Sequence, residues 1–325
     1  MKFQKGEPIV ENKRQVKVAV VQAGSVVMDK EKGVEKAIDL LEQAGVGGAK
    51  IVVFPEAFIP AYPRGMSFGA VVGSRSDAGR KDFLKYWKNS ITVPGPETEQ
   101  LGKAAKRAGA YTIIGVIEKD QEYSGGTLYC TALFFGPDGE LLGKHRKLKP
   151  TGSERLIWGE GDGSTLPVFD TPYGKIGALI CWENYMPLAR AALYAKGVQI
   201  YVMPTADHRD TWHATVRHVA AEGRCFVLSC NQYSTKSMYP KEIAERPEFA
   251  DFPEEMTRGG SCIVDPLGNY IVEPVFGEET ILYADLDLDR IAESHFDFDP
   301  VGHYARPDVF KLTVNEEKQR VVEWG

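Results

Sequence analysis

The chain has 325 residues, with 39 Lys and Arg against 45 Asp and Glu and a net charge of −6. With 43% hydrophobic and 26% charged residues it has a globular composition, and its length suits two domains or one large α/β or all-β unit. The acidic balance argues against nucleic acid as a partner, which needs a concentrated basic face, and no apolar run approaches the roughly 18 residues that span a bilayer. Met1 to Arg14 is polar and lacks the apolar core of a secretory signal. The five cysteines (Cys130, Cys181, Cys225, Cys230 and Cys262) are odd in number and spread through apolar runs. They read as reduced, mostly buried thiols, and the expected location is cytoplasmic.

In chain order, short β-branched runs predict strands at Val16–Ala23, Ile51–Phe54, Tyr111–Ile117, Leu128–Phe135, Ile176–Cys181, Gln199–Met203, Cys225–Cys230 and Ser261–Val264. Helical periodicity falls between several of them, at Glu31–Ala44, Thr98–Ala108, Tyr185–Lys196 and Thr211–Gly223. Strands alternating with helices imply layered α/β packing. Tight turns at Pro137-Asp138-Gly139 and Pro172-Tyr173-Gly174 predict antiparallel hairpins, so the sheet is mixed. The pattern reads as one large domain, residues 16–287, followed by a polar extension, residues 288–325.

Some chemistries are excluded by spacing. Gly159-Glu160-Gly161-Asp162-Gly163 lacks the dinucleotide fingerprint, and its carboxylates would repel a pyrophosphate; no P-loop or serine elbow is present. Asp207, His208, Asp210, His213 and His218 cluster in sequence. On a helix, however, His213 and His218 would stand roughly 140° apart, which argues for a polar loop entering a helix over a metal site.

The segment that stands out is Ile176 to Leu188, where an apolar strand runs into Cys181, with Asn184 placed as an N-cap and Pro187 in the first helical turn. A thiol facing a helix start is expected to ionise more easily. Position alone leaves two readings of Cys181 open, a nucleophile or a small apolar core residue. No histidine has a context that singles it out as the proton carrier. Ile51-Val52-Val53-Phe54-Pro55-Glu56 closes a strand on a carboxylate, and a desolvated carboxylate gains a pKa useful to a general base. Lys144-His145-Arg146-Lys147-Leu148-Lys149-Pro150-Thr151 is a basic run with Glu154 close behind.

Together, Phe54-Pro55-Glu56-Ala57-Phe58, Arg146-Lys147-Leu148-Lys149-Pro150-Thr151 and Cys181-Trp182-Glu183-Asn184 resemble the nitrilases of the carbon–nitrogen hydrolase superfamily. The resemblance covers nearly the whole chain and includes Ile157 to Ser164, Pro204-Thr205-Ala206-Asp207 and Val301 to Asp308. It shows no departure from the catalytic pattern. It implies an α-β-β-α sandwich and a Glu-Lys-Cys set: Glu56 as general base, Lys147 as cationic stabiliser and Cys181 as nucleophile. Glu154 matches a second acid that orients Lys147 or the substrate. No metal or organic cofactor is implied. The partners implied are a small-molecule nitrile and further copies of the chain, as a dimer or a larger assembly, spirals included. The 288–325 extension is expected to take part in those contacts.

The expected reaction is hydrolysis of an organic nitrile to a carboxylic acid and ammonia through a thioimidate and a thioester. Rivals are an amidase or carbamoylase, a cyanide hydratase, and a non-catalytic ligand-binding member. Cys-Trp-Glu favours the nitrilase branch, and a binding module has no use for all three catalytic residue types. Cys130 and Cys262 read as inert thiols. Tyr62, Trp182 and Tyr185 lie beside the motifs and are candidates to line an apolar substrate pocket. They leave aliphatic, aromatic and arylacetonitrile substrates all open.

Overall fold

The computed structural model describes residues 14–323, so the N-terminal stretch read against a secretory signal lies, but for Arg14, outside the described residues. Strand β1 (Gln15–Gln22) leads through helix α1 (Lys30–Val46) to β2 (Ile51–Val53), and α2 (Asp77–Asn89) and α3 (Pro96–Ala108) precede β3 (Tyr111–Lys119). The three strands are parallel neighbours, as strand–helix alternation requires. β4 (Leu128–Phe135) and β5 (Leu141–Arg146) then extend the sheet as an antiparallel hairpin around Pro137-Asp138-Gly139.

The second sheet starts with the hairpin β6 (Val168–Thr171) and β7 (Gly174–Ala178), turning at Pro172-Tyr173. α4 (Pro187–Ala195), β8 (Ile200–Thr205), α5 (Asp210–Gly223) and β9 (Phe226–Asn231) repeat the parallel pattern. β10 (Tyr233–Thr235), the short α6 (Lys241–Ala244), β11 (Glu255–Val264) and β12 (Tyr270–Phe276) complete that side. β13 (Thr280–Asp287) returns to pair antiparallel with β1, and α7 (Asp289–Ser294) follows.

Alternation along each strand builds three apolar layers. Val18, Val20, Ile51 and Val53 meet Ile176, Ala178, Ile200, Val202 and Leu228 between the sheets. Their sequence neighbours Ala19, Val21 and Val52 pack outward on Ala37, Leu41 and Ala105 of α1 and α3. Tyr201, Met203 and Val227 pack outward on Leu193, Val216 and Val219 of α4 and α5. The architecture is an α-β-β-α sandwich, and strands buried on both faces explain the uninterrupted apolar runs.

Several elements differ from the sequence reading. α2 was not expected because only Gly79 and Tyr86 of its residues are buried, leaving no apolar stripe to read. β5 was hidden by its polar composition, and β13 by its weak alternation around Leu282, Ala284 and Leu286. α4 starts at Pro187, two residues later than expected. Asn184 is not its N-cap: it sits inside a 3-10 turn, Cys181–Tyr185, with its amide donating to the carbonyls of Leu179 and Cys181. Met186 is extended, as the residue before a proline prefers to be.

Gly115, central in β3, shows how closely the chain is packed beneath Glu56. A Cβ there would lie 2.3 Å from the Pro55 carbonyl oxygen, 2.6 Å from the Ala57 nitrogen and 2.8 Å from the Glu56 Cα. All three are backbone atoms, so nothing flexible can yield. Gly115→Ala should therefore cost about 1–3 kcal/mol and shift the backbone at Glu56. Gly33→Ala in α1, where the nearest neighbour is 3.8 Å away, should leave stability unchanged or raise it. Paired thermal melts check the contrast, and equal melting temperatures for the two variants would contradict it.

Candidate active site

Glu56, Lys147 and Cys181 each follow a strand. Pro55 ends the ladder after β2, Ala57 turns with φ +49°, and Gln232 Nε2 donates to the Glu56 carbonyl at 3.0 Å. Lys147 leaves β5 with its amide still bonded to the Cys130 carbonyl at 2.8 Å. Cys181 follows β7 in the left-handed region, φ +52°, a strained conformation for a residue with a side chain. Asn184 braces that turn: its Nδ2 donates to the Cys181 carbonyl at 2.8 Å, and its Oδ1 accepts from the Tyr201 hydroxyl at 2.9 Å.

The three side chains converge where the sheets face each other. Lys147 Nζ donates to Glu56 Oε1 at 2.6 Å and to Glu154 Oε2 at 2.8 Å, with Lys147 and Glu56 both wholly buried. Glu154 also accepts from the Tyr62 hydroxyl at 2.8 Å and from the Thr151 amide at 2.7 Å. Thr205 Oγ1 donates to Cys181 Sγ at 3.2 Å. Glu56 Oε2 is buried and accepts no hydrogen bond from the described residues.

Charge decides the protonation states. Burial would lower Lys147, but Glu56, Cys181 and Glu154 outweigh it and hold the ammonium well above its ordinary range. Burial raises Glu56, and Glu154 adds to this against the opposing pull of Lys147. Burial, reinforced by Glu56, pushes the Cys181 thiol up to about 12. That reverses the sequence expectation of an easily ionised thiol. The residues after Cys181 form only a short 3-10 turn, and desolvation exceeds any helix-end effect.

Cys181 lies in the wall of a cavity of about 190 Å³, together with Tyr62, Arg64, Thr151, Glu154, Trp182, Ala206, Asp207, His208 and Arg209. A second cavity of about 460 Å³ shares Tyr62, Arg64 and Glu154 and continues along residues 65–68 to Leu156, Ile157 and Phe252. Charged side chains share the wall of the small cavity with apolar surface. Tyr62 faces it but spends its hydroxyl on Glu154, with its ring edge-on to Trp158 at 5.8 Å. Trp182 donates to Asp207 at 2.8 Å, and Arg209 pairs with the same carboxylate. Tyr185 is not on this wall: the 3-10 turn carries it outward, where it packs edge-on to Trp182 and Trp212.

Several participants carried no sequence signal of their own. Thr205 and Trp158 sit inside quoted motifs, yet nothing local marks Thr205 as a thiol partner or places the Trp158 ring 5.6 Å from Lys147 Nζ. Cys130, read as remote from the chemistry, has its Sγ 3.6 Å from Glu56 Oε1. Only pairing of β4 with β3 and β5 brings it there. Of the residues weighed as metal ligands, Asp207 takes Arg209 and Trp182, Asp210 pairs with Arg258, and His213 lies edge-on to Phe276.

Comparison with known proteins accords with this geometry. An aliphatic nitrilase of Sinorhizobium fredii (strain HH103) is 56% identical over 307 residues, covering 94% of this chain and 97% of that protein. A bifunctional nitrilase/nitrile hydratase of Lupinus angustifolius is 52% identical, covering 93% of this chain and 86% of that protein. The crystal structure of Saccharomyces cerevisiae Nit3, a member of branch 10 of the nitrilase superfamily, superposes with a TM-score of 0.69 at 25% identity, covering 89% and 96% of the two chains. The carbon–nitrogen hydrolase family model matches residues 17–296, and the chain belongs to that family.

Proposed function

We infer that the protein is a nitrilase, converting an organic nitrile and two waters to a carboxylic acid and ammonia. The observation that carries the reading is the buried meeting of Glu56, Lys147 and Cys181 at a small cavity, in a chain over half identical to an aliphatic nitrilase. Cys181 Sγ attacks the nitrile carbon while its proton passes to Glu56, whose Oε2 is free to receive it. Charge grows on nitrogen and is met by the Lys147 ammonium and by backbone N–H near the Cys181 turn, a contribution usually worth about 3 kcal/mol. The nitrogen takes the proton and a thioimidate results. Glu56 then activates water, the tetrahedral adduct expels ammonia, and a second water hydrolyses the thioester. Glu154 holds the Lys147 ammonium through a second ion pair. Tyr62 and Trp182 shape the substrate space, and Tyr185 backs Trp182.

Turnover of one aliphatic nitrile, with acid and amide separated by chromatography, tests the reading. Acid with ammonia should dominate, and Cys181→Ala should yield neither product. Amide as the main product would place the protein beside its relative named a bifunctional nitrilase/nitrile hydratase, and turnover of amides alone would make it an amidase. Lys147→Gln should be severe, whereas Lys149→Gln should be mild because Lys149 pairs with Glu160 at the surface.

The state of Glu56 sets the pH response. A base must be ionised to accept the thiol proton, and Glu56 is raised above the ordinary 4.5. Falling pH therefore protonates it early, and kcat/KM should decline on the acid side with an apparent pKa above that value. A profile from about pH 4 to 9 reads this limb; a midpoint at or below the ordinary glutamate value would remove Glu56 from the role.

We also assign residues 16–287 to the hydrolase domain and residues 288–325 to an extension that helps to join copies of the chain. Residues near its end return to their own domain: Gln319 N donates to Asp162 and Val321 N to Tyr123. Phe296 and Phe310, by contrast, are 91% and 77% exposed, which supports an intermolecular partner. Light scattering at micromolar concentration should give a mass at least twice 36.0 kDa. A monomer would refute the assignment.

A further inference from the structure

Glu183 lies two residues beyond Cys181 and is almost wholly buried, at 1% exposure. Its Oε1 accepts the Leu148 amide at 2.6 Å, and its Oε2 accepts the Ile180 amide at 2.7 Å. Leu148 directly follows Lys147, and Ile180 directly precedes Cys181. One carboxylate therefore joins the backbone at the end of β5 in the first sheet to the backbone at the end of β7 in the second. Each anchor point is one residue from a group assigned to the reaction.

A buried carboxylate needs a countercharge, and the structure supplies one. His145, also fully buried, places Nε2 at 2.9 Å from Glu183 Oε2 and Nδ1 against the Thr165 carbonyl oxygen. A carbonyl offers only lone pairs and a carboxylate accepts, so both ring nitrogens carry hydrogen and the ring is an imidazolium. Burial opposes that charge, but Glu183 and the Thr165 bond raise His145 above its ordinary value. Neither residue borders the cavity that holds Cys181.

We propose that Glu183 is a positioning residue, which fixes Lys147 and Cys181 relative to each other by holding the Leu148 and Ile180 amides, with His145 as its buried countercharge. The idea rests on the roles assigned above to Lys147 and Cys181. Its physical basis is that the sheets meet mainly through apolar side chains, whose contacts are weakly directional. A charge-assisted bridge with two short backbone bonds is directional. Displacement of a reacting group by about 1 Å is enough to cost two orders of magnitude in rate.

The test compares Glu183→Gln, Glu183→Asp and His145→Gln with the wild type by thermal melts and by kcat and KM on one aliphatic nitrile. The glutamine amide presents a donor to one of the two backbone N–H groups, so Glu183→Gln should lower kcat by about thirtyfold or more, with KM within about threefold. His145→Gln leaves both backbone bonds to Glu183 in place. It should lower the melting temperature yet reduce kcat by less than about fivefold. Loss of stability without loss of kcat in one variant, and loss of both in the other, is a split that a purely structural role does not produce. Should Glu183→Gln fail to fold, Glu183→Asp keeps the charge but is too short to hold both amides, and kcat should fall about tenfold. Folded Glu183 variants with wild-type kcat, or equal kcat losses at Glu183 and His145, would overturn the proposal. Cys181→Ala runs alongside: its inactivity upholds the nitrilase reading even when the Glu183 variants are fully active.

Discussion

The site depends on one ammonium ion kept out of water. Lys147 is fully buried, and a charge in that position persists only with close partners of opposite sign. Two carboxylates, Glu56 and Glu154, close on it at 2.6 and 2.8 Å. With both ionised, the trio carries one negative charge in excess, and the surrounding residues adjust to that surplus. Tyr62 and the Thr151 amide donate to Glu154 and steady its share. Glu56 has fewer donors among the described residues, and burial, with Glu154 beside it, raises its pKa. Structural necessity and the proposed catalytic use coincide here, because the carboxylate with the raised pKa is the one best able to accept a proton.

The same surplus explains the resting thiol. An ionised sulfur beside this trio would add a second uncompensated charge in a desolvated space, and Cys181 is accordingly held up to about 12. As the proposed nucleophile, Cys181 waits as a neutral thiol, and its proton leaves only as the carbon–sulfur bond forms. In the proposed reaction, proton transfer to Glu56 then moves negative charge from the carboxylate through sulfur to the substrate nitrogen, without adding charge to the pocket. Since Lys147 already stands in the site, its ammonium needs no reorganisation to meet that charge. The Thr205 hydroxyl at 3.2 Å supports sulfur throughout.

Much of this was legible in the sequence, for different reasons at different residues. Glu56 and Cys181 end apolar strands, and a polar residue after a buried run marks itself. Lys147 did not: three lysines crowd one basic run, and only the family resemblance chose among them. The alternation of β5 held the physical answer, since it turns His145 and Lys147 inward and sends Lys144 and Arg146 to Glu118. That strand was too polar to be recognised, so its alternation could not be applied. Glu183, Thr205 and Cys130 meet Leu148, Cys181 and Glu56 across long stretches of sequence, and no local pattern announces such contacts. The helix-start argument at Cys181 failed for a related reason. A helix is visible in the sequence, whereas the burial that opposes it arises only when two sheets meet.

On the proposed roles, the fold separates chemistry from selection. Glu56, Lys147 and Cys181 hang from strand ends whose backbones are fixed by Gly115, Asn184 and ladder bonds, so their geometry tolerates little variation. The cavity walls come from connecting segments, around Tyr62 to Phe68, Thr151 to Ile157 and Ala206 to Arg209. Such segments accept substitution more readily than central strands. Within them, Asp207 serves as a local organiser, bonding both Trp182 and Arg209, which line the cavity with the guanidinium over the Trp182 ring. A change at Trp182 or Arg209 reshapes the space offered to a substrate without reaching the Lys147 trio. A change at Glu154 or Thr205 alters charge or sulfur directly, whatever the substrate. On the proposed reading, selection among nitriles therefore belongs to the cavity-lining connecting segments, Glu154 apart.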